Sequence, residues 1–536
     1  MTAAPLVGPE VTAPPSGRAL RRWVVDTGNR HGGKGGLGDV LGDLYYAAVT
    51  SAIGVAMALG LAESLGSLLE PPDRAGAVDG PGVASAVPWL LVAGLALLVS
   101  LAGRLGPVGV GGAEATWLLS APVDRRSLLR PAGRRIPVMA AAVAGIVVGI
   151  LDAGLLADHD GGHVVRSAVA GALAAALVVV LAGIAQSRQV SRRVVALAGD
   201  LALGLVPVAA LAVTLAGRRL PTTVAVPLAV VGALAVVLVG AVVVLDARLG
   251  ALQARTLRES GSVATQAAGA IVSLDSRELG RALTDATSPA RRRRSRRFRL
   301  VRSPAAGVVV ADAMVLRRSV RHLVQVVVAA AVPVAVVRTP ELAGPAAFVV
   351  VLLLAGGTAM SATGEAARRA EMQPAVDRLL PLSDRAVRRL HLVVPGAAML
   401  GWSLVAYGAF GWWWGGGPAR WLALGAVAAP VWASAAVRAA FRPAPNWGGP
   451  LISSPMGALP GGVAGVVARG PDVVVLGHVP VIVALVTGAV PPVLLAVQAA
   501  VSAICVVVAS STDTRSLMER AMDASASASA SAGGAR

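Results

Sequence analysis

The chain alternates between apolar runs about twenty residues long and short stretches rich in arginine, glycine and proline. Twenty apolar residues at 1.5 Å rise cross roughly 30 Å of hydrocarbon, so runs of this length read as membrane-spanning helices. They fall at 44–62, 86–103, 136–156, 164–186, 194–216 and 222–245, and again at 321–337, 344–362, 392–412, 419–437, 473–490 and 492–510. The pattern predicts an all-α polytopic membrane protein with about twelve transmembrane helices in two six-helix halves, 18–246 and 308–512. Between the halves, 247–307 reads as a basic cytoplasmic linker. Residues 1–17 and the Ala/Ser-rich 513–536 can bury little apolar surface and are expected to be disordered.

The arginines orient the spans, because short loops rich in Arg and Lys stay on the cytoplasmic side. Arg18, Arg21, Arg22, Arg30 and Lys34 precede the first span; Arg104, Arg125, Arg126, Arg130, Arg134 and Arg135 lie between the second and third; Arg188, Arg192 and Arg193 follow the fourth. Both termini and the linker are therefore expected in the cytoplasm, with the acidic loop carrying Glu63, Glu70, Asp73 and Asp79 outside. Arg218 and Arg219 run against this assignment. The cluster Arg291–Arg299 (RRRRSRRFR) is expected to hold the linker inside and to attract anionic lipid headgroups, at about 1 kcal/mol per charge.

Composition supports the membrane reading: 55% of residues are hydrophobic and 14% charged, with a mean hydropathy of +0.71. Soluble domains carry about 25% charged residues. The net charge of +19 would suit nucleic acid, but only 3% of the chain is aromatic and the arginines are spread between spans, so no nucleic-acid partner is expected. The single cysteine, Cys505, excludes an intrachain disulfide.

The two halves repeat a short pattern after their second spans. The first reads Leu118-Leu119-Ser-Ala-Pro122-Val-Asp-Arg125-Arg126-Ser-Leu-Leu-Arg130, and the second Leu379-Leu380-Pro381-Leu-Ser-Asp384-Arg385-Ala-Val-Arg-Arg389. Setting Pro122 on Pro381 pairs Arg126 with Arg385 and Arg130 with Arg389. Proline followed by Asp or Ser is helix-start chemistry. The segment WLLSAPVDRRSLLRP resembles one found after the second of six spans in type-2 permease subunits of bacterial ABC transporters. That resemblance covers both halves and implies two fused permease subunits in the bacterial plasma membrane, exporting a substrate with energy from a separate ATPase. It implies that Glu114, Pro122, Arg125 and Arg126 face that ATPase, with Pro381, Asp384 and Arg385 repeating the arrangement. The second half departs from it in its glutamate: Glu371 stands ten residues before its proline, against eight for Glu114.

A permease of this kind needs ATP only through its partner. The stretch GNRHGGKG (28–35) fits the Gly and Lys spacing of a P-loop but has Gly35 where Mg²⁺ needs Ser or Thr, and VVVLD (242–246) ends an apolar run. No nucleotide site, metal site, cofactor or enzyme activity is expected in this chain; the Asp158–His163 loop reads as solvated. Asp200, about two turns into the fifth span, is costly in a membrane and is the candidate intramembrane functional residue. It keeps open an ion-coupled carrier, and a non-transporting scaffold or immunity protein is the other alternative. Trp412, Trp413 and Trp414 suit an interfacial aromatic belt.

Overall fold

A computed structural model describes residues 16–31, 83–111, 114–155, 161–216, 226–272, 301–339, 342–415, 417–442, 451–454, 457–460 and 469–511, with a few single positions elsewhere. The chain divides into two compact units that change over at residues 292–293. The first unit contains α1 (Gly17–His31), α2 (Val87–Leu105), α3 (Arg125–Leu155), α4 (Gly161–Ser187), α5 (Arg192–Leu215), α6 (Leu228–Arg248) and α7 (Ala254–Val272). The second contains α8 (Pro304–Arg318), α9 (Val320–Arg338), α10 (Pro345–Thr363), α11 (Glu365–Met372), α12 (Pro374–Arg378), α13 (Asp384–Leu390), α14 (Val393–Trp414) and α15 (Pro418–Ala440). These are followed by the hairpin β1 (Leu451–Ser454) and β2 (Gly457–Pro460), then α16 (Pro471–Gly477), α17 (Val479–Thr487) and α18 (Pro492–Ser510).

Among the described residues, ten helices are long and apolar enough to cross a membrane, with α13 and α14 taken together. The protein is an all-α polytopic membrane protein whose only described strands are the short antiparallel hairpin, paired Leu451 to Pro460. Large apolar side chains stay exposed along the helices, among them Val143 and Ile146 on α3 and Val236 and Val239 on α6. Such surfaces are tolerated where hydrocarbon surrounds them. The span expected at 44–62 falls almost wholly outside the described residues.

In the first unit, α2 and α5 meet at backbone distance. A Cβ on Gly199 would stand 2.3 Å from the Ser100 nitrogen, and one on Gly103 would stand 2.5 Å from the Ala196 nitrogen, so only glycine fits at the crossing. Helix α7 lies within the stretch expected as linker, yet its Leu257 and Ser260 are fully buried. A Cβ on its Gly261 would reach within 2.1 Å of the Val110 carbonyl oxygen. This part of 247–307 is built into the first unit; as an amphipathic helix it has too little continuous apolar length to register as a span.

The second unit packs around aromatic residues. Trp402, Tyr407, Phe410, Trp421 and Trp432 are all buried, and Trp402 meets Trp432 edge-on at 5.5 Å between ring centroids. Gly356 on α10 makes room for the Trp432 ring, which a Cβ there would approach to 2.4 Å. The span expected at 473–490 is instead two short helices, α16 and α17, interrupted at His478. Pro480 supplies a reason: it has no amide to bond back to Leu476, and its ring crowds that carbonyl. Pro395 has the same relation to His391, where α13 gives way to α14.

Candidate functional site

The repeated Pro-Asp/Ser segments form helix starts in both units. In the first, the Asp124 carboxylate accepts hydrogen bonds from the amides of Arg126 (3.2 Å) and Ser127 (3.0 Å). In the second, the Ser383 hydroxyl accepts from the Ala386 amide at 3.3 Å. Each cap lies two residues after its proline, Pro122 or Pro381, and satisfies amides that a helix start leaves without intrahelical partners. The hydrogen bonds from Ser127 hold the Asp124 carboxyl below its ordinary pKa. Asp384 stands in the first turn of α13, where its charge complements the helix dipole. Pro122, Arg125, Pro381, Asp384 and Arg385 are all exposed.

A first-unit contact fixes this corner. The Gly17 amide at the start of α1 donates to the Ser127 hydroxyl at 2.8 Å, and Gly17 has no side chain to hold α1 away from Leu128. Farther along α1, Arg21 donates to both Glu114 carboxylate oxygens at 3.1 Å. Glu114 therefore ties α1 to the π-helical turn Glu114–Leu118. Gly28, the first residue of the P-loop lookalike, lies inside α1 rather than in a loop; Gly33 and Lys34 fall outside the described residues.

Arg126 is not a free cation awaiting a partner. It donates to Asp246 Oδ2 at 3.0 and 2.6 Å, while Arg130 donates to Oδ1 at 2.7 Å and Oδ2 at 2.9 Å. Asp246, the aspartate of the VVVLD stretch, thus fastens the start of α3 to the end of α6. The second unit differs at the matching places: no carboxylate partner of Arg385 or of Arg389 is found among the described residues. Their neighbour Arg388 donates to the Ser511 carbonyl and lies over the Phe441 ring at 4.9 Å.

Exposed apolar groups accompany both helix starts. Trp117 is 73% exposed before Pro122, and Val376 (58%) and Leu379 (85%) are exposed before Pro381. Residue type alone does not reveal them, because an apolar side chain beside a helix start is as often buried as exposed.

Asp200 lies elsewhere in the first unit, at the α2–α5 crossing. Its Oδ2 accepts from Arg104 at 2.5 Å and its Oδ1 from the Ser100 hydroxyl at 2.6 Å. Arg104 also donates to the Leu283 carbonyl at 2.9 Å. Ser100, Arg104 and Asp200 are each at most 5% exposed. The carboxylate is thus matched by a buried cation, which arginine placement alone had assigned to topology. Beside this cluster, Gln186 exchanges hydrogen bonds with the Val108 backbone at 3.2 and 2.8 Å, and Arg192 reaches the Thr256 carbonyl at 2.9 Å, binding the 106–111 turn and α7 to the span ends.

Two further buried pairs involve histidine: His163 with Asp152 at 2.8 Å, and His391 with Asp312 at 2.7 Å. No group of three or more His, Cys, Asp or Glu residues is arranged to hold a metal ion among the described residues. Asp158 to Asp160 and the Arg291–Arg299 cluster lie outside them. Cys505 is buried in α18. Trp413 packs edge-on against Phe348 at 5.0 Å, while Arg338 lies over the Trp412 ring at 4.7 Å.

Residues 81–450 match the family of unknown function DUF6297. No curated protein and no solved structure matches the chain.

Proposed function

The chain belongs to the DUF6297 family, which brings no activity with it, and we propose from its own residues that it is the membrane subunit of an ABC-type exporter in the bacterial plasma membrane, energised by a separate ATPase. The observation that carries this reading is the pair of capped helix starts at Pro122 and Pro381, each exposed and each accompanied by exposed apolar side chains. A permease without a nucleotide site must receive motion through surface elements that are stiff enough to transmit it. The first helix start is stiffened by Gly17–Ser127 and by Asp246 with Arg126 and Arg130; the second carries an arginine, Arg385, left available for an acidic partner group. Trp117, Val376 and Leu379 supply apolar contact beside those charges, the combination expected of a protein interface with a buried centre and a polar rim.

An ion-coupled carrier is the second reading, and it rests on Asp200. The Arg104 partner weighs against it, because a carboxylate held in a buried ion pair must break that pair before it can carry a proton. Reconstitution tests the choice: vesicles containing this chain and a candidate ATPase should hydrolyse ATP faster than vesicles with the ATPase alone. A chain that leaves hydrolysis unchanged while a proton gradient alone drives substrate movement would reverse the preference.

A further inference from the structure

We propose that the first unit holds an anionic phospholipid in a groove between α3, α4 and α6. The groove has a volume of about 360 Å³ and is lined by Pro137, Val138, Ala176, Val180, Leu238 and Val242, with Arg130, Arg134 and Asp246 at one end. That volume lies at the lower end of the roughly 300–1,000 Å³ typical of small-molecule pockets. Its walls are almost entirely aliphatic, so the segment filling it is a hydrocarbon chain.

The charge at the end of the groove selects the headgroup. Asp246 is shared by Arg126 and Arg130, and Asp124 lies close enough to act on both arginines, so this group is balanced; Arg134 adds a positive charge with no carboxylate partner among the described residues. Arg134 is exposed and lines the groove. One net positive charge among the lining side chains, Arg130 and Arg134 against Asp246, at the end of an aliphatic groove complements a phosphate attached to an acyl chain. The groove opens among exposed apolar side chains, with Val138 at 66% and Val237 at 53% exposure, the setting from which a bilayer lipid enters sideways. The arginine distribution assigns this end of α3 to the cytoplasmic leaflet. A free phosphate would meet the charge but leave the groove empty, and a zwitterionic lipid would bring, beside its phosphate, a quaternary ammonium that Arg130 and Arg134 repel. This inference does not depend on the transport reading.

Native mass spectrometry of the full chain, delipidated in mild detergent and titrated with phosphatidylglycerol, phosphatidylcholine or inorganic phosphate, tests it. Phosphatidylglycerol should bind most tightly and inorganic phosphate should leave no adduct. Arg134→Gln should weaken the tightest phosphatidylglycerol site about fivefold, the effect of one interfacial charge, while Arg134→Lys retains it. Ala141→Phe, which narrows the groove and leaves every charge in place, should weaken the same site. Lipid binding unchanged in both Arg134→Gln and Ala141→Phe would overturn the proposal, as would equal binding of phosphatidylcholine. Monodisperse elution of each variant separates loss of the site from loss of the fold.

Discussion

Replacing Asp200 by asparagine keeps the side-chain size and removes the charge that faces Arg104. The guanidinium then remains buried at 5% exposure, with the Leu283 carbonyl and the Ser100 hydroxyl among its neutral partners. Breaking a buried ion pair from one side costs about 3–5 kcal/mol, because the surviving charge has lost its counter-ion. For a unit of this size roughly 2–4 °C of melting temperature accompanies each kcal/mol, so Asp200→Asn should lower the midpoint by roughly 6–20 °C. Arg104→Met should cost a comparable amount. The double variant Arg104→Met/Asp200→Asn, which removes both charges, should recover part of the loss, with a coupling energy of about 0.5–3 kcal/mol. The assay is heating of the purified full chain in detergent, followed by the fraction surviving size-exclusion chromatography. Single variants within 1 °C of the parent, or losses that simply add in the double, would show that the pair does not support the fold.

Arg385→Glu should leave thermal stability within about 0.5 kcal/mol, as expected for an exposed residue with no carboxylate partner among the described residues, yet weaken association with the proposed ATPase. Arg126→Glu should also lose stability, since it sets a second carboxylate against Asp246; melting curves and pull-downs measured on both variants distinguish the two behaviours. Asp124→Ala should cost about 0.5–2 kcal/mol as a lost N-cap. The folded carboxyl of Asp124 has a depressed pKa, so the stability it contributes is present above its unfolded pKa of about 3.9 and lost as pH falls through the lower folded value. The melting difference between parent and Asp124→Ala should accordingly stay constant from pH 8 to about 5 and shrink below about pH 4. For orientation, with Cys505 replaced, a cysteine at Asp79 should react with an impermeant reagent on intact cells and one at Ser288 should not; the opposite labelling contradicts the arginine-based topology.

Sequence periodicity locates α2, α4, α5, α6, α9, α10, α14, α15 and α18 because each carries enough consecutive apolar residues to be read without tertiary information. It also makes the two helix starts legible, since the proline and the capping residue lie within one short segment. The partners of the charged residues are another matter. Asp200 stands out as an expensive carboxylate, but Arg104 is 96 residues away and meets it only because Gly103 and Gly199 let α2 and α5 touch. Arg126 likewise reads as a surface charge until α6 brings Asp246 alongside. Helix α7 escapes notice because its buried Leu257 and Ser260 belong to an amphipathic element rather than an apolar run. The break at His478 is hidden by the opposite effect, since hydropathy averages across Pro480 without registering its missing amide.

The central claim, that this chain is one part of an ATP-driven exporter, is tested most directly by purifying the full-length protein from its native membrane in a gentle detergent and identifying what accompanies it. An ABC-type ATPase should come with it in fixed stoichiometry and be released when Arg385 is changed to Glu, with ATP hydrolysis belonging to that partner. Purification of the intact chain with no ATPase bound, together with failure of any co-expressed ABC ATPase to associate with it, would contradict the account.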